Sequence, residues 1–307
     1  MADLLSNLRK AELHVHLEGS IEPDTLRAID PALTREEIAS RFAHTDFAGF
    51  LKAYIWVTQR LQSPEHYAIA TRDLIARLVR QNVIYAEITL SAGVVLWKKQ
   101  DLGAIYDAVW NESRRAPFPV LWILDAVRQF DPEDGMRVAE FAVSRKDGGV
   151  VGFGIGGDEE RGPAKRFAHV FRFARDGGLR LTCHAGETTG PRSIWDALEV
   201  GAERIGHGIA AIQDPALVAH LCEQGIPLEV CITSNVRTGV VASLADHPVR
   251  KLFDAGVPIV LNTDDPALFE TTLDGEYKLA RDQFCFTEEE LALLAENSLR
   301  YAFRRPS

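Results

Sequence analysis

The sequence predicts a closed (β/α)8 barrel in a single domain, 1–307, with a helical insertion at about 20–63. Three observations carry this. Eight short apolar, β-branched runs recur along the chain, helix-like stretches separate them, and 307 residues suits a barrel that commonly exceeds about 250.

Taken in order, the runs are "AELHVHL" (11–17), "NVIYAEITLS" (82–91), "FPVLWILDA" (118–126) and "GVVGFGIGG" (149–157). "LRLTCHAGE" (179–187), "ERIGHG" (203–208), "IPLEVCIT" (226–233) and "VPIVLNTDD" (257–265) follow. The intervening stretches carry helix-start signals. Ser63-Pro64, Asp131-Pro132 and Asp214-Pro215 each put a capping residue before a proline, and Gly225 suits the end of the helix that Asp214 opens. Strands alternating with helices of this length imply parallel βαβ units. Eight of them favour closure over an open sheet.

One interval breaks the alternation. About 64 residues separate the first two runs, and "PDTLRAID", "LTREEIASRF" and "FAGFLKAYIWVTQRL" within it read as helices. An insertion after strand 1 lies over the barrel mouth. Its Phe47, Phe50, Tyr54 and Trp56 are candidates to line a substrate pocket, or else to pack the insertion down.

Bulk properties exclude several roles. A net charge of −10 argues against a nucleic-acid surface or a basic membrane helix. No apolar run approaches the roughly 18 residues of a membrane span, and "MADLLSNLRK" has no signal-peptide pattern. Cys183, Cys222, Cys231 and Cys285 form no C-x-x-C pair, so a reducing, cytoplasmic setting is expected.

Chemistry in such barrels sits at the C-terminal strand ends. Those ends carry His14 and His16 (strand 1), His184 and Glu187 (strand 5), His207 (strand 6), and Asp264 with Asp265 (strand 8). Residues two apart share a strand face. The imidazoles of His14 and His16 therefore point into the barrel, with Leu13, Val15 and Leu17 outward, and Cys183 points away from His184. Singly, each of these residues is unremarkable. Together, several ionisable groups buried at one rim would be costly without a compensating cation, and three imidazoles with one carboxylate suit a divalent metal. Strand 4 ends in Gly156-Gly157, with no lysine to form a bridging carbamate, which favours one metal over two.

Residues in this order resemble the adenosine deaminase family, through "AELHVHLEGS", "GGDE" (156–159), "CHAGE" (183–187), "RIGHG" (204–208), "TSNVRTG" (233–239) and "LNTDDP" (261–266). The resemblance implies Zn²⁺ held by His14, His16, His184 and Asp264. It implies that His207 orients and helps deprotonate the attacking water, that Glu187 protonates purine N1, that Asp265 bonds N7, and that the Gly157 N–H meets N3. Replacing an aromatic amino group needs a strong nucleophile and a proton for N1. Glu187 must then be neutral, so burial is expected to raise its pKa. The polynucleotide deaminase signature H-x-E with P-C-x-x-C is absent, and a small purine is the expected partner.

Substrate signals within the family diverge. Glu18 follows H-x-H-L as in adenine deaminases, where adenosine deaminases carry a ribose-contacting Asp. Gly206 and Thr238-Gly239 look more like the nucleoside enzymes. The mixture fits the aminodeoxyfutalosine deaminases of the alternative menaquinone route, whose substrate bears a carboxyphenyl group at its 5′ end. Lys52, Arg60 and Arg237 are candidate cations for that group. The alternatives are adenine deamination, a different mononuclear hydrolase of cyclic amides, and a non-catalytic binder.

Overall fold

The computed structural model describes residues 7–304. Eight parallel strands follow one another round the sheet in chain order: β1 (Lys10–His16), β2 (Val83–Leu90), β3 (Val120–Val127), β4 (Val150–Gly156), β5 (Arg180–Ala185), β6 (Arg204–His207), β7 (Leu228–Val230) and β8 (Ile259–Leu261). Each coincides with one of the eight runs. The seventh is much shorter than its run because Ile232 already begins a helix, Ile232–Arg237.

Outward strand residues such as Trp122, Phe153 and Cys183 are fully buried against the helical ring. Each large apolar side chain so buried contributes roughly 1.5–3 kcal/mol. Asp214 caps its helix by accepting from the Ala216 and Leu217 amides, and Gly225 ends it in the left-handed region at φ 63°. Ser63 and Asp131 make no side-chain cap. There the helix start is marked by the proline and by acidic first-turn residues, Glu65 in one helix and Glu133 and Asp134 in the other.

The insertion holds three helices, α1 (Pro23–Ile29), α2 (Arg35–Phe42) and α3 (Phe47–Thr58), before α4 (Pro64–Arg80) returns the chain to β2. Thr34 and Asp46 cap α2 and α3 through the amides of Glu37 and Gly49.

The barrel closes through its own site residues. Asp264 N–H donates to the His14 carbonyl at 2.9 Å, and His16 N–H donates to the Asp264 carbonyl at 2.8 Å. Just before this seam β1 is bulged: its pairing with β2 steps from Glu12–Ala86 to Val15–Ile88, three residues against two. The Asn262 side chain bridges the bulge, accepting from the Leu13 and His14 amides at 2.9 and 3.1 Å. The bulge inverts the strand's parity. Leu13 joins Ala11, Tyr85, Ile123 and Val260 in a separate apolar cluster inside the lower barrel, while His14 and His16 face inward above it. The expectation that Leu13 shares the outer face with Val15 and Leu17 is thereby corrected.

The lower end is plugged by the segment after the last helix. Phe303 enters from below, its amide donating to Glu87 at 2.6 Å and its ring lying 3.6 Å from the Arg204 guanidinium carbon. Arg204 is 1% exposed and pairs with Glu87 at 2.7 Å and Glu229 at 2.6 Å. An isolated buried guanidinium would be destabilising, and two carboxylates offset that cost.

Candidate active site

His14, His16, His184 and Asp264 converge at the upper rim, with one donor atom from each within 4.8 Å of all the others. His16 Nε2 lies 3.2 Å from His184 Nε2 and 3.4 Å from Asp264 Oδ1, and His14 Nε2 lies 3.3 Å from that oxygen. The edge of a tetrahedron with bonds of about 2.1 Å is about 3.4 Å, so these spacings fit one tetrahedral ion. His14 Nε2 is buried without a hydrogen bond, as a metal donor would be. The residues present therefore fit a divalent cation, with three imidazoles and a carboxylate as its donor set.

Surrounding groups fix each donor. Glu229 on β7 accepts a hydrogen bond from His14 Nδ1–H at 2.7 Å, which leaves Nε2 free to ligate. Ser234 donates to Asp264 Oδ2 at 2.7 Å, which turns Oδ1 toward the histidines. Asp264 (φ 63°) and His207 (φ 60°) both occupy the left-handed region, strain that the surrounding contacts hold in place.

A relay sets the tautomer of His207. Val249 N–H donates to His247 Nδ1, so His247 carries its proton on Nε2 and donates it to Asn235 Oδ1 at 3.1 Å. The Asn235 amide then donates to His207 Nδ1 at 3.1 Å. Neutral His207 thus presents Nε2–H, 3.7 Å from Glu187 and 3.9 Å from Asp264. Burial, the largest influence, lowers its pKa to about 3 and keeps the ring neutral.

Glu187 and Asp265 are both held well above the usual carboxylate range, first by burial and then by the charge of Asp264. Glu159 is 4% exposed and accepts from the amides of Gly186, Glu187 and Thr189 at 3.1–3.2 Å, pinning the loop that carries Glu187. Gly157 sits at φ 101°, and a Cβ there would lie 2.2 Å from Gln129 Oε1.

His16, His184, Glu187, His207, Asp264, Asp265 and Gly157 line one cavity of about 280 Å³. Its outer wall is Phe47, Phe50, Tyr54, Trp97 and Phe130. Trp56 is not part of that wall. Two positions on from Tyr54, it turns to another face of α3, where Arg60 stacks on it at 4.2 Å. Glu18 is also set back. Its carboxylate accepts from Ser91 N–H at 3.1 Å and Tyr54 OH at 3.2 Å, and those partners line the cavity while Glu18 does not. With both oxygens engaged within the protein, Glu18 borders the cavity through Tyr54 and Ser91. None of Lys52, Arg60 and Arg237 reaches the cavity, whereas Lys98 lines it, its ammonium held by the carbonyls of Thr58 and Leu61 at 2.5 and 2.8 Å. Sequence reading missed Glu229, Asn235, His247, Glu159 and Asp125. For Asp125 and Glu229 the available signal was an acidic residue inside an apolar strand.

A barrel with this rim defines a metal-dependent hydrolase. Comparison with known proteins places it more narrowly. Residues 9–306 match the model of the adenosine deaminase family. An aminodeoxyfutalosine deaminase from Streptomyces avermitilis is 39% identical, the match covering 97% of this chain and 87% of the relative. An adenine deaminase from Agrobacterium fabrum is 36% identical over 98% and 95%. Among solved structures, an adenine deaminase from Arthrobacter aurescens superposes with a TM-score of 0.91 at 29% identity, covering 96% of this chain and 94% of that one. A Burkholderia ambifaria amidohydrolase with bound Zn superposes with a TM-score of 0.90 at 25% identity, over 98% and 87%. The chain belongs to the adenosine deaminase family, hydrolases acting on C–N bonds, and is a deaminase of adenine- or adenosine-like substrates.

Proposed function

We propose that the protein deaminates a 6-aminopurine nucleoside bearing a bulky aromatic 5′ group, with aminodeoxyfutalosine as its substrate in cytoplasmic menaquinone synthesis. The observation that carries this reading is the shape of the cavity. It runs from the His/Asp cluster to a wall of five aromatic residues, with Trp97 and Phe130 stacked at 6.1 Å. A free base would leave that wall bare. Lys98 is the cation at the wall for the carboxylate of such a group. The 39% identical relative supports the same substrate.

His14, His16, His184 and Asp264 would hold Zn²⁺, which lowers the pKa of a bound water to about 7 and so supplies a nucleophile at neutral pH. Neutral Glu187 donates its proton to N1 as attack at C6 pushes electrons there. Asp265, also neutral, donates to N7. The Gly157 N–H meets N3, where a side chain would block the approach. His207 donates from Nε2 and orients the attacking oxygen. The relay through Asn235 leaves it no free lone pair for the proton, so orientation is its role in this state. As the tetrahedral centre collapses, its hydroxyl proton passes to the amino nitrogen, the C6–N bond breaks to release ammonia, and a proton from water restores Glu187.

Glu18 and the adenine deaminase relatives favour a second reading, deamination of adenine itself. An ultraviolet assay of the zinc-loaded protein on aminodeoxyfutalosine, adenosine and adenine decides between them. A kcat/KM highest for aminodeoxyfutalosine is expected. Preference for adenine would install the second reading, and ammonia from none of the three would defeat both.

A further inference from the structure

A polar pair on the β3 side of the cavity has no role in the chemistry above. Asp125, on β3, is 5% exposed and lines the cavity, yet its carboxyl makes no hydrogen bond among the described residues. Gln129, two residues beyond β3, lines the same cavity, and its Oε1 is buried without a partner. Both press on the glycine pair that ends β4. A Cβ at Gly156 would lie 2.6 Å from Asp125 Oδ2, and one at Gly157 would lie 2.2 Å from Gln129 Oε1. Strand β4 leaves this space open because it has no side chains there.

A buried polar atom with no partner costs stability, roughly 1–3 kcal/mol, and such groups persist where a ligand completes them. The occupant must donate, because Gln129 Oε1 only accepts. That excludes the purine ring nitrogens N1, N3 and N7, which accept. It must also suit a carboxyl that can accept or donate, which a hydroxyl group does in either case. The location agrees. With N3 at Gly157, as in the proposed function on which this inference rests, the groups beside Gly157 face the N3–C4–N9 edge, and N9 carries the sugar.

We infer that Asp125 and Gln129 form the subsite that reads the ribose hydroxyls of the substrate. This assigns sugar recognition to β3, with Glu18 acting at one remove through Tyr54 and Ser91.

The test compares the zinc-loaded wild type with Asp125→Ala and Gln129→Ala. Turnover is measured on adenosine and 2′,3′-dideoxyadenosine, and calorimetric binding on inosine and 2′,3′-dideoxyinosine, so one readout needs no catalysis. Asp125→Ala is expected to lower the preference for the hydroxylated nucleoside by about 10- to 100-fold, and Gln129→Ala by about threefold to tenfold. The melting temperature of Asp125→Ala should hold or rise, because an uncompensated polar burial is removed; a purely structural residue would lower it. Parallel losses on both nucleosides, or a preference changed less than twofold, overturn the subsite. So does a wild type that deaminates adenine yet binds no nucleoside, since the N9–H of the base would then be the donor. Failure to turn over or bind any purine would instead strike the proposed function, and this inference with it.

Discussion

Gly19→Ala should disable the site while leaving the fold standing. Gly19 lies in the short 3-10 turn Glu18–Ser20, whose backbone any residue adopts, so the added methyl acts only through its neighbours. That methyl would lie 1.7 Å from Asp265 Oδ1 and 2.4 Å from Asp265 Cβ and Cγ. Reaching even the 3.0 Å floor of real Cβ contacts requires the oxygen to retreat by 1.3 Å, the difference between 3.0 and 1.7 Å. Rotating the carboxylate does not relieve the overlap, because Cβ is fixed by the backbone. The Asp264–Asp265 segment must therefore move, and Asp264 closes the seam with β1 and contributes a metal donor. A displacement of about 1 Å costs about 10²-fold when reacting groups are misplaced, so kcat/KM should fall by at least that factor. Overpacking of this kind costs roughly 1–3 kcal/mol of stability. Initial rates by ultraviolet difference, with circular dichroism melts on zinc-saturated protein, measure both. Activity within threefold of wild type at unchanged stability would refute the packing of Gly19 on Asp265 and the role given to that carboxyl.

Four further outcomes are expected. Glu229→Gln should weaken zinc affinity by about 10- to 100-fold in chelator competition, since it loosens the acceptor that orients His14. Glu187→Gln should lower kcat by about 10²- to 10⁴-fold and abolish the alkaline limb of the pH–rate profile. Burial raises the Glu187 pKa well above that of a free carboxyl, so the acid form persists to higher pH and activity declines as pH rises through that pKa. Asp125 titrates at about 8 in the fold, pushed up by burial, against 3.8 unfolded, so the folded state holds a proton that the unfolded state has released between those values. Its contribution to stability is complete at low pH and is lost as pH rises toward 8, at up to about 1.4 kcal/mol per pH unit, and urea melts of Asp125→Asn should show a flatter profile. Trp97→Ala should raise KM for aminodeoxyfutalosine about tenfold and spare adenosine, because the ring is 64% exposed and stacks on Phe130 at the outer wall.

Much of the site was legible because its donors stand at strand ends, where short motifs mark them. His14-x-His16, His184 and Asp264 needed only strand periodicity and the polarity of the barrel. The orientation of Leu13 was not legible. A bulge inverts parity, and the residue that stabilises it, Asn262, lies 249 positions away. Glu18 shows a similar limit. Its motif was plain, but its hydrogen-bond partners come from α3 and from the loop after β2, so its direction depended on tertiary packing. The tautomer of His207 was equally hidden, since it follows from a backbone amide at Val249 acting through two intervening side chains.

The plug at the lower end ties distant parts of the polypeptide to one another. Arg204 donates to the Tyr301 carbonyl and flanks Phe303, while also bonding the Glu229 that steadies His14. A nascent or truncated chain holding every metal donor but lacking residues 301–303 would keep an open base beneath its ion-binding rim. Rim and plug are thereby coupled: displacing Phe303 would be felt, through one guanidinium and the Glu229 carboxylate, at His14.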